Sequence, residues 1–202
     1  MEQPVPPTTD HAPAVPAART SPFDLAVSGD CPVPLLRSKP DLLALSRAAE
    51  ERPLSGQPGD VVLVGVQDAR FWTPRTQAAY QGIAALGPVV VAFGVGLPTE
   101  LSAPLSRRVM TVGIDADDPL ADEWLVLFYD RQSRWGFVAK DAAAGVPGAR
   151  RVAAHARDAV RFDRARTFLY GEVADPEALG RAATELLDRV PDLDLTVPWL
   201  AR

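Results

Sequence analysis

The sequence contains no asparagine, and its only lysines are Lys39 and Lys140, set against nineteen arginines. Arginine, alanine, glycine and proline have GC-rich codons while lysine and asparagine do not. The bias therefore points to a GC-rich bacterial genome and carries no mechanistic meaning. Cysteine is nearly absent: Cys31 alone cannot form an internal disulfide, which fits a reducing cytoplasm. No apolar run approaches the roughly 18–20 residues that cross a bilayer. The first residues lack a basic stretch followed by an apolar one, so no secretory signal is expected and a cytoplasmic location is.

Catalytic signatures are missing too. There is no Walker A sequence, no G-x-S-x-G elbow, no H-E-x-x-H and no cysteine pair. Of the two histidines, His11 falls in a proline-rich leader and His155 in an Arg/Ala-rich helical stretch, where a surface position is expected. Cys31, between Asp30 and Pro32, has no neighbouring histidine to activate it and reads as a plain buried thiol. The net charge of −5 argues against a general nucleic-acid binder, because phosphate neutralisation needs a clustered positive field.

What is present reads as one soluble globular domain behind an arm. With 47% hydrophobic and 23% charged residues, 202 residues suffice for one well-buried core. Residues 1–22 hold six prolines and no apolar period, which predicts a disordered arm; residues 23–202 form the expected domain. Ser38–Arg52 predicts a helix with Ser38 as cap, Pro40 in the first turn and Leu42, Leu45 and Ala49 as an apolar stripe. Val61–Val66 and Val89–Phe93 are near-continuous apolar runs, as expected of strands covered on both faces. Thr73-Pro74 opens the helix between them, buried through Tyr80 and Ile83 and stopped at Gly87-Pro88.

Arg108–Ile114, Trp124–Tyr129 and Trp135–Ala139 predict three further strands, the last two as an antiparallel hairpin. Ala149–Val160 predicts a helix, a strand is expected within Phe162–Val173, and Asp175-Pro176 caps a final helix striped by Leu179, Ala183, Leu186, Leu187 and Val190. The tail could pack at an edge through Trp199. The fold class that follows is α/β, a single domain with a mixed sheet of about five or six strands flanked by helices on both faces.

Candidate site residues cluster where the first covered strand hands over to its helix. Gln67, Arg70, Trp72 and Arg75 supply amide, guanidinium and indole groups suited to an anionic or planar ligand. The same residues admit a structural reading, with Gln67 satisfying loop backbone and Trp72 capping the core. Glu123 and Trp124 complete the candidate ligand set. A carboxylate entering a buried strand needs a partner, and Arg70 or Arg75 could supply it. Asp117, Asp118, Asp122 and Glu123 lack the spacing of a calcium loop, so Asp118 is expected to cap a turn beginning at Pro119, and no metal site is assigned. Gly94-Val95-Gly96 lacks the third glycine of a dinucleotide fingerprint and reads as a turn. Arg150, Arg157 and Arg161 share a helix face that is either solvated or partner-binding. No pattern identifies a cofactor.

The segments VGVQDARFWTPRTQAAYQGIAALGPVVVAFG, DPLADEWLVLFYD and FVAKD together resemble the DICT domain, a bacterial sensory domain named for diguanylate cyclases and two-component systems. The upstream LLRSKPDLLALSRAAEER is similar to the region preceding that core in actinobacterial members. The resemblance spans roughly residues 23–190, with Ala142–Val160 looking like an insertion. It implies a non-catalytic regulatory module in bacterial signal transduction. With no output domain in view, a stand-alone protein of this kind would act through a signalling partner or self-association. A ligand-free protein-binding adaptor is the alternative reading, and an enzyme of unfamiliar type or a direct DNA binder stands behind it.

Overall fold

The computed structural model describes residues 18–28, 33–51, 60–100, 109–129, 134–144 and 163–190. Within them a seven-stranded mixed sheet carries two helices on each face. In chain order the elements are α1 (Pro22–Val27), β1 (Leu35–Ser38), α2 (Lys39–Glu50), β2 (Val61–Asp68), a 3-10 turn (Ala69–Phe71) and α3 (Pro74–Ala85). There follow β3 (Val89–Val95), β4 (Val109–Ile114), a second 3-10 turn (Pro119–Asp122), β5 (Glu123–Tyr129), β6 (Arg134–Asp141), β7 (Thr167–Val173) and α4 (Pro176–Leu187).

The strand order is β1-β7-β6-β5-β2-β3-β4. Strands β2, β3 and β4 run parallel, and every other neighbouring pair is antiparallel. The central strand β2 therefore joins a parallel half, built through the α3 crossover, to an antiparallel meander. Its first seven residues are all buried, because helices cover both faces. The pleat sends Val61 and Leu63 to one side, against Phe23 and Ala26 of α1 and Leu179, Ala183 and Leu186 of α4. Val62, Val64 and Val66 go to the other side, against Leu42 and Ala49 of α2 and Tyr80, Ile83 and Ala84 of α3.

The helix starts follow from local chemistry. Ser38, Thr73 and Asp175 each accept a backbone N–H of the first turn, and each helix has proline in its first two positions. Asp118 does the same for the 3-10 turn at Pro119, through Leu120 N at 2.9 Å. Gly96 ends the β3 turn with φ 74°, while Gly94 is held side-chain-free because an added Cβ would lie 2.9 Å from Val66 Cγ2.

Three features depart from the sequence expectations. The sheet has seven strands rather than five or six; the additional one, β1, is short, with Leu35, Leu36 and Arg37 exposed, so it shows no buried face to read. Ser21 and Pro22, assigned by composition to the arm, are buried: Ser21 caps α1 and hydrogen bonds Glu123, and Pro22 is the first residue of that helix. That packing depends on α4 and β5, more than a hundred positions away for most contacts, which composition cannot register. Arg134, expected in the hairpin loop, is the first residue of β6. The predicted helix Ala149–Val160, with Arg150, Arg157 and Arg161, lies outside the described residues, as do His11, Cys31, His155 and Trp199.

Candidate functional site

A cavity of about 830 Å³ opens between α2 and α3 above the carboxyl-terminal half of β2. Its base is apolar, made by Val64 and Val66 of β2 with Trp124 of β5. Tyr80 and Ala79 form the α3 wall, and Phe71 closes the end beside the first 3-10 turn. The other wall is α2, through Lys39, Leu43, Ser46, Arg47 and Glu50, a set that recurs every three or four residues along one helix face. Arg47, Arg75 and Arg164 are exposed at the rim.

Gln67 sits at the deep polar end. The β2–β3 register shifts between Gly65 and Asp68, and Gln67 takes a left-handed φ of 65°, a conformation that costs a residue with a side chain about 1 kcal/mol or more. The residue is 6% exposed. Its Oε1 accepts from an Arg166 guanidinium nitrogen at 3.3 Å, and its buried Nε2 has no hydrogen-bond partner among the described residues. A guanidinium only donates, so this contact fixes the amide orientation. Arg166 is itself held by Asp141 at 2.6 and 2.8 Å and by Asp163 at 3.5 Å.

Lys39 is 8% exposed, forms an ion pair with Asp163 and lies 4.2 Å from the centre of the Phe71 ring. Burial lowers its pKa, opposed by the Asp163 carboxylate and assisted by the nearby Arg166 and Arg70. At the opposite end, Glu50 accepts from both the Tyr80 hydroxyl and Ser46 at 3.1 Å. Burial, with the Glu50 charge second, pushes the Tyr80 phenol well above its ordinary range, so it is a neutral donor at physiological pH.

Of the six residues proposed for the ligand set, the structure brings Gln67, Arg75 and Trp124 to the cavity. Trp72 instead stacks against the Tyr80 ring at 5.8 Å, supporting the wall from behind. Arg70 is exposed, stacks on Phe71 at 4.7 Å and lies 3.9 Å from Asp68. Glu123 is the correction. Adjacent strand residues face opposite ways, so Trp124 enters the cavity while Glu123 turns to the α1/α4 face. Its carboxylate accepts from the Ser21 hydroxyl and from Phe23 N at 2.9 Å, and neither Arg70 nor Arg75 is its partner. Burial raises its pKa to about 7 against the opposing Ser21 and Phe23 hydrogen bonds.

Sequence reasoning missed the α2 wall and the Asp163–Arg166 segment. One signal was available: the face carrying Lys39, Ser46 and Glu50 is polar at the spacing where a core helix keeps apolar residues. A second polar cluster lies on the α1/α4 face. Arg189 contacts Asp118 at 3.0 Å, Glu185 Oε1 at 3.0 Å and the Thr20 carbonyl at 2.9 Å, and Arg19 reaches Asp118 at 3.2 Å. Among the described residues, no three His, Cys, Asp or Glu side chains converge as metal ligands, and no helix is long and apolar enough to cross a membrane.

The fold and cavity define a class: an α/β module with a ligand-sized, mainly apolar pocket and fully paired charges at its inner end. The sequence model of DICT, described as a sensory domain in diguanylate cyclases and two-component systems, matches residues 23–140. That match covers more than half of the chain, and the chain belongs to the DICT family of sensory domains in signal transduction. Neither among curated proteins nor among solved structures does a match appear.

Proposed function

We propose that this protein is a non-catalytic sensory module that binds a small molecule between α2 and α3 and passes the occupied state to a partner protein or to a second copy of itself. The observation that carries the reading is the 830 Å³ cavity, with Val64, Val66 and Trp124 at its base and polar groups of α2 and Gln67 around it. Natural ligand sites span about 300–1,000 Å³ and combine apolar walls with a few placed polar groups, which is the composition here. The two walls also supply a route for signalling. Helices α2 and α3 make few contacts with each other, so a ligand that bridges them stabilises one spacing over another, as any switch requires.

The adaptor reading calls for a filled joint around Gln67, and an open cavity of this size weighs against it. An enzymatic reading would place a carboxyl of raised pKa in the cleft. Among the described residues, Glu123 has such a carboxyl, and it is fully buried on the other side of the sheet. The test is native mass spectrometry of protein purified from its own host, alongside an Ala79→Trp variant. Ala79 is half-buried on the cavity wall, so the indole fills the space without entering the core. A small molecule retained by the wild type and absent from the variant supports the reading. A ligand-free protein that co-purifies with the same partner in both forms overturns it in favour of the adaptor.

A further inference from the structure

Resting on that reading of the cavity, we propose that its ligand is an organic acid: an apolar body held between α2 and α3, with a carboxylate or phosphate head meeting Arg75 and Arg164 at the rim. Charge is spread unevenly around this space. The chain as a whole carries 21 basic against 26 acidic residues, yet four basic and three acidic ones line the cavity. Lys39 and Asp163 pair with each other. Glu50 and Glu51 stand at the far end of α2, about 16 Å along the helix from Lys39. Arg47 lies about one turn from those two carboxylates, which offset its charge. Arg75 and Arg164 stand at the other end. Among the described residues, neither comes within ion-pair distance of a carboxylate.

Local structure sets both arginines beside the Phe71 end of the cavity. Arg75 is the second residue of α3, and the next residue, Thr76, donates its hydroxyl to the Phe71 carbonyl at 3.0 Å. Arg164 follows Asp163, whose pairing with Lys39 holds that segment against the start of α2. At this end Lys39, Arg75 and Arg164 therefore line the cavity against one carboxylate, Asp163. Arg70 adds a further cation behind Phe71, 4.7 Å from the ring centre. The Lys39 ammonium registers the same field: burial lowers its pKa and, though Asp163 opposes, Arg166 and Arg70 add to the lowering. A cleft with an excess of one sign and low-dielectric walls concentrates counter-ions, so it draws in anions and turns cations away.

The head belongs at the rim rather than at the inner end. Lys39 and Arg166 are already paired there, and an anion that displaced Asp163 or Asp141 would strand a poorly solvated carboxylate. Arg75 and Arg164 are exposed, and a guanidinium fork matches the paired oxygens of a carboxylate or phosphate. The body is specified by the floor and walls. Val64, Val66 and Trp124, with Phe71 and Tyr80 at the sides, give apolar surface that an inorganic anion would leave wet. An acidic macromolecule calls for a cationic face, whereas these arginines border an apolar hollow. Cationic rim and apolar floor together describe a small amphipathic acid.

The experiment uses the full chain and two fluorescent probes that share one apolar body: 8-anilinonaphthalene-1-sulfonate, an anion, and N-phenyl-1-naphthylamine, its neutral counterpart. We expect the sulfonate to bind about fivefold more tightly, the ratio that two exposed charge pairs supply, and its advantage to shrink as salt rises. Combining Arg75→Gln with Arg164→Gln should bring the two probes to equal affinity, while Arg47→Gln should leave the ratio unchanged. Ala79→Trp should exclude both. All three arginines are exposed, so their variants keep the fold, which circular dichroism checks. Native mass spectrometry of the host-purified protein should find a retained acid. If both probes bind the wild type alike and Ala79→Trp excludes both, the acidic head is wrong while the cavity reading stands. A neutral or cationic ligand retained from the host likewise overturns the acid alone. A sulfonate advantage that survives the double variant overturns the placing of the head. If Ala79→Trp changes the binding of neither probe and the host-purified protein carries no ligand, both readings fall.

Discussion

Replacing Glu123 by glutamine should remove a pH dependence of folding stability between pH 4.5 and 7. Glu123 is fully buried under α1 and faces the Ser21 hydroxyl, Phe23 N–H and Asp24 of that helix, with Lys140 opposite it on β6. Lys140 is itself paired with Asp24 at 3.0 Å, so it gives the buried carboxylate little help. Desolvation dominates, and the carboxyl that ordinarily titrates at 4.5 does so at about 7 in the fold. The sign is opposite to that of a salt-bridged carboxylate. Between the two values the folded chain holds a proton that the unfolded chain has released, so stability falls as pH rises. The contribution is complete below 4.5 and gone above about 7. A separation of that size, at about 1.4 kcal/mol per pH unit, amounts to about 3 kcal/mol.

Glutamine keeps the shape and the carbonyl acceptor for Phe23 N–H, and it carries no charge at any pH. The difference in unfolding free energy between Glu123→Gln and the wild type, from urea titrations at half-unit steps from pH 4.5 to 8, should rise by about 3 kcal/mol in favour of the variant. Taking the difference cancels titrations common to both proteins. One of these is Asp118: burial alone would raise its pKa, but the hydrogen bonds from Arg189 and Leu120 N hold it below the ordinary 3.8. That contribution is present above 3.8 and is lost as pH falls further, outside the window used. A difference that stays flat across the window would refute the argument, since Glu123 would then be titrating in the same range folded and unfolded.

Other expectations follow from the same structure. Arg189 and Asp118 have side chains that are 1% and 3% exposed, so Arg189→Met should leave the buried carboxylate with only the half-exposed Arg19 and Leu120 N at a cost of about 3 kcal/mol, and adding Asp118→Leu should return part of it. Equal stability of the single and double variants in urea would contradict a coupled pair. A Cβ at Gly136 would lie 2.5 Å from the Val126 carbonyl oxygen and 2.9 Å from Leu127 Cα, backbone atoms that cannot yield. Gly136→Ala should therefore lose about 1–3 kcal/mol, whereas Gly82→Ala, with open space around it on α3, should gain about 0.5–1 kcal/mol. Similar denaturation midpoints for these two alanine variants would go against the close approach of β5 and β6. Ala79→Trp should leave the unfolding free energy within about 0.5 kcal/mol of the wild type while filling the cavity, which urea titration and native mass spectrometry read together.

Much of the fold was legible in the chain because its signals are local. The apolar runs at Val61 and Val89, the caps at Ser38, Thr73 and Asp175, and the stripe through Leu179, Ala183 and Leu186 each depend on neighbours within a few residues. The family likeness was legible for the same reason, resting on contiguous segments that the DICT match spans. The short strand β1 escaped notice because its stability comes from pairing with β7 and not from a buried side of its own.

The site was only half legible, and the missing half is tertiary. The sequence by itself determined that polar and aromatic groups stand where β2 hands over to α3, and that a carboxylate and an indole enter β5 side by side. Only the folded sheet decided that these two neighbours part to opposite faces, sending Trp124 to the cavity and Glu123 to the start of α1. Only tertiary packing brought α2 across as the second wall, since Lys39 meets Asp163 from 124 positions away and Arg166 meets Gln67 from 99. Local pattern encodes which residues can be buried and where helices start. Which distant groups end up sharing one desolvated space depends on sheet order and register, properties that no single segment carries.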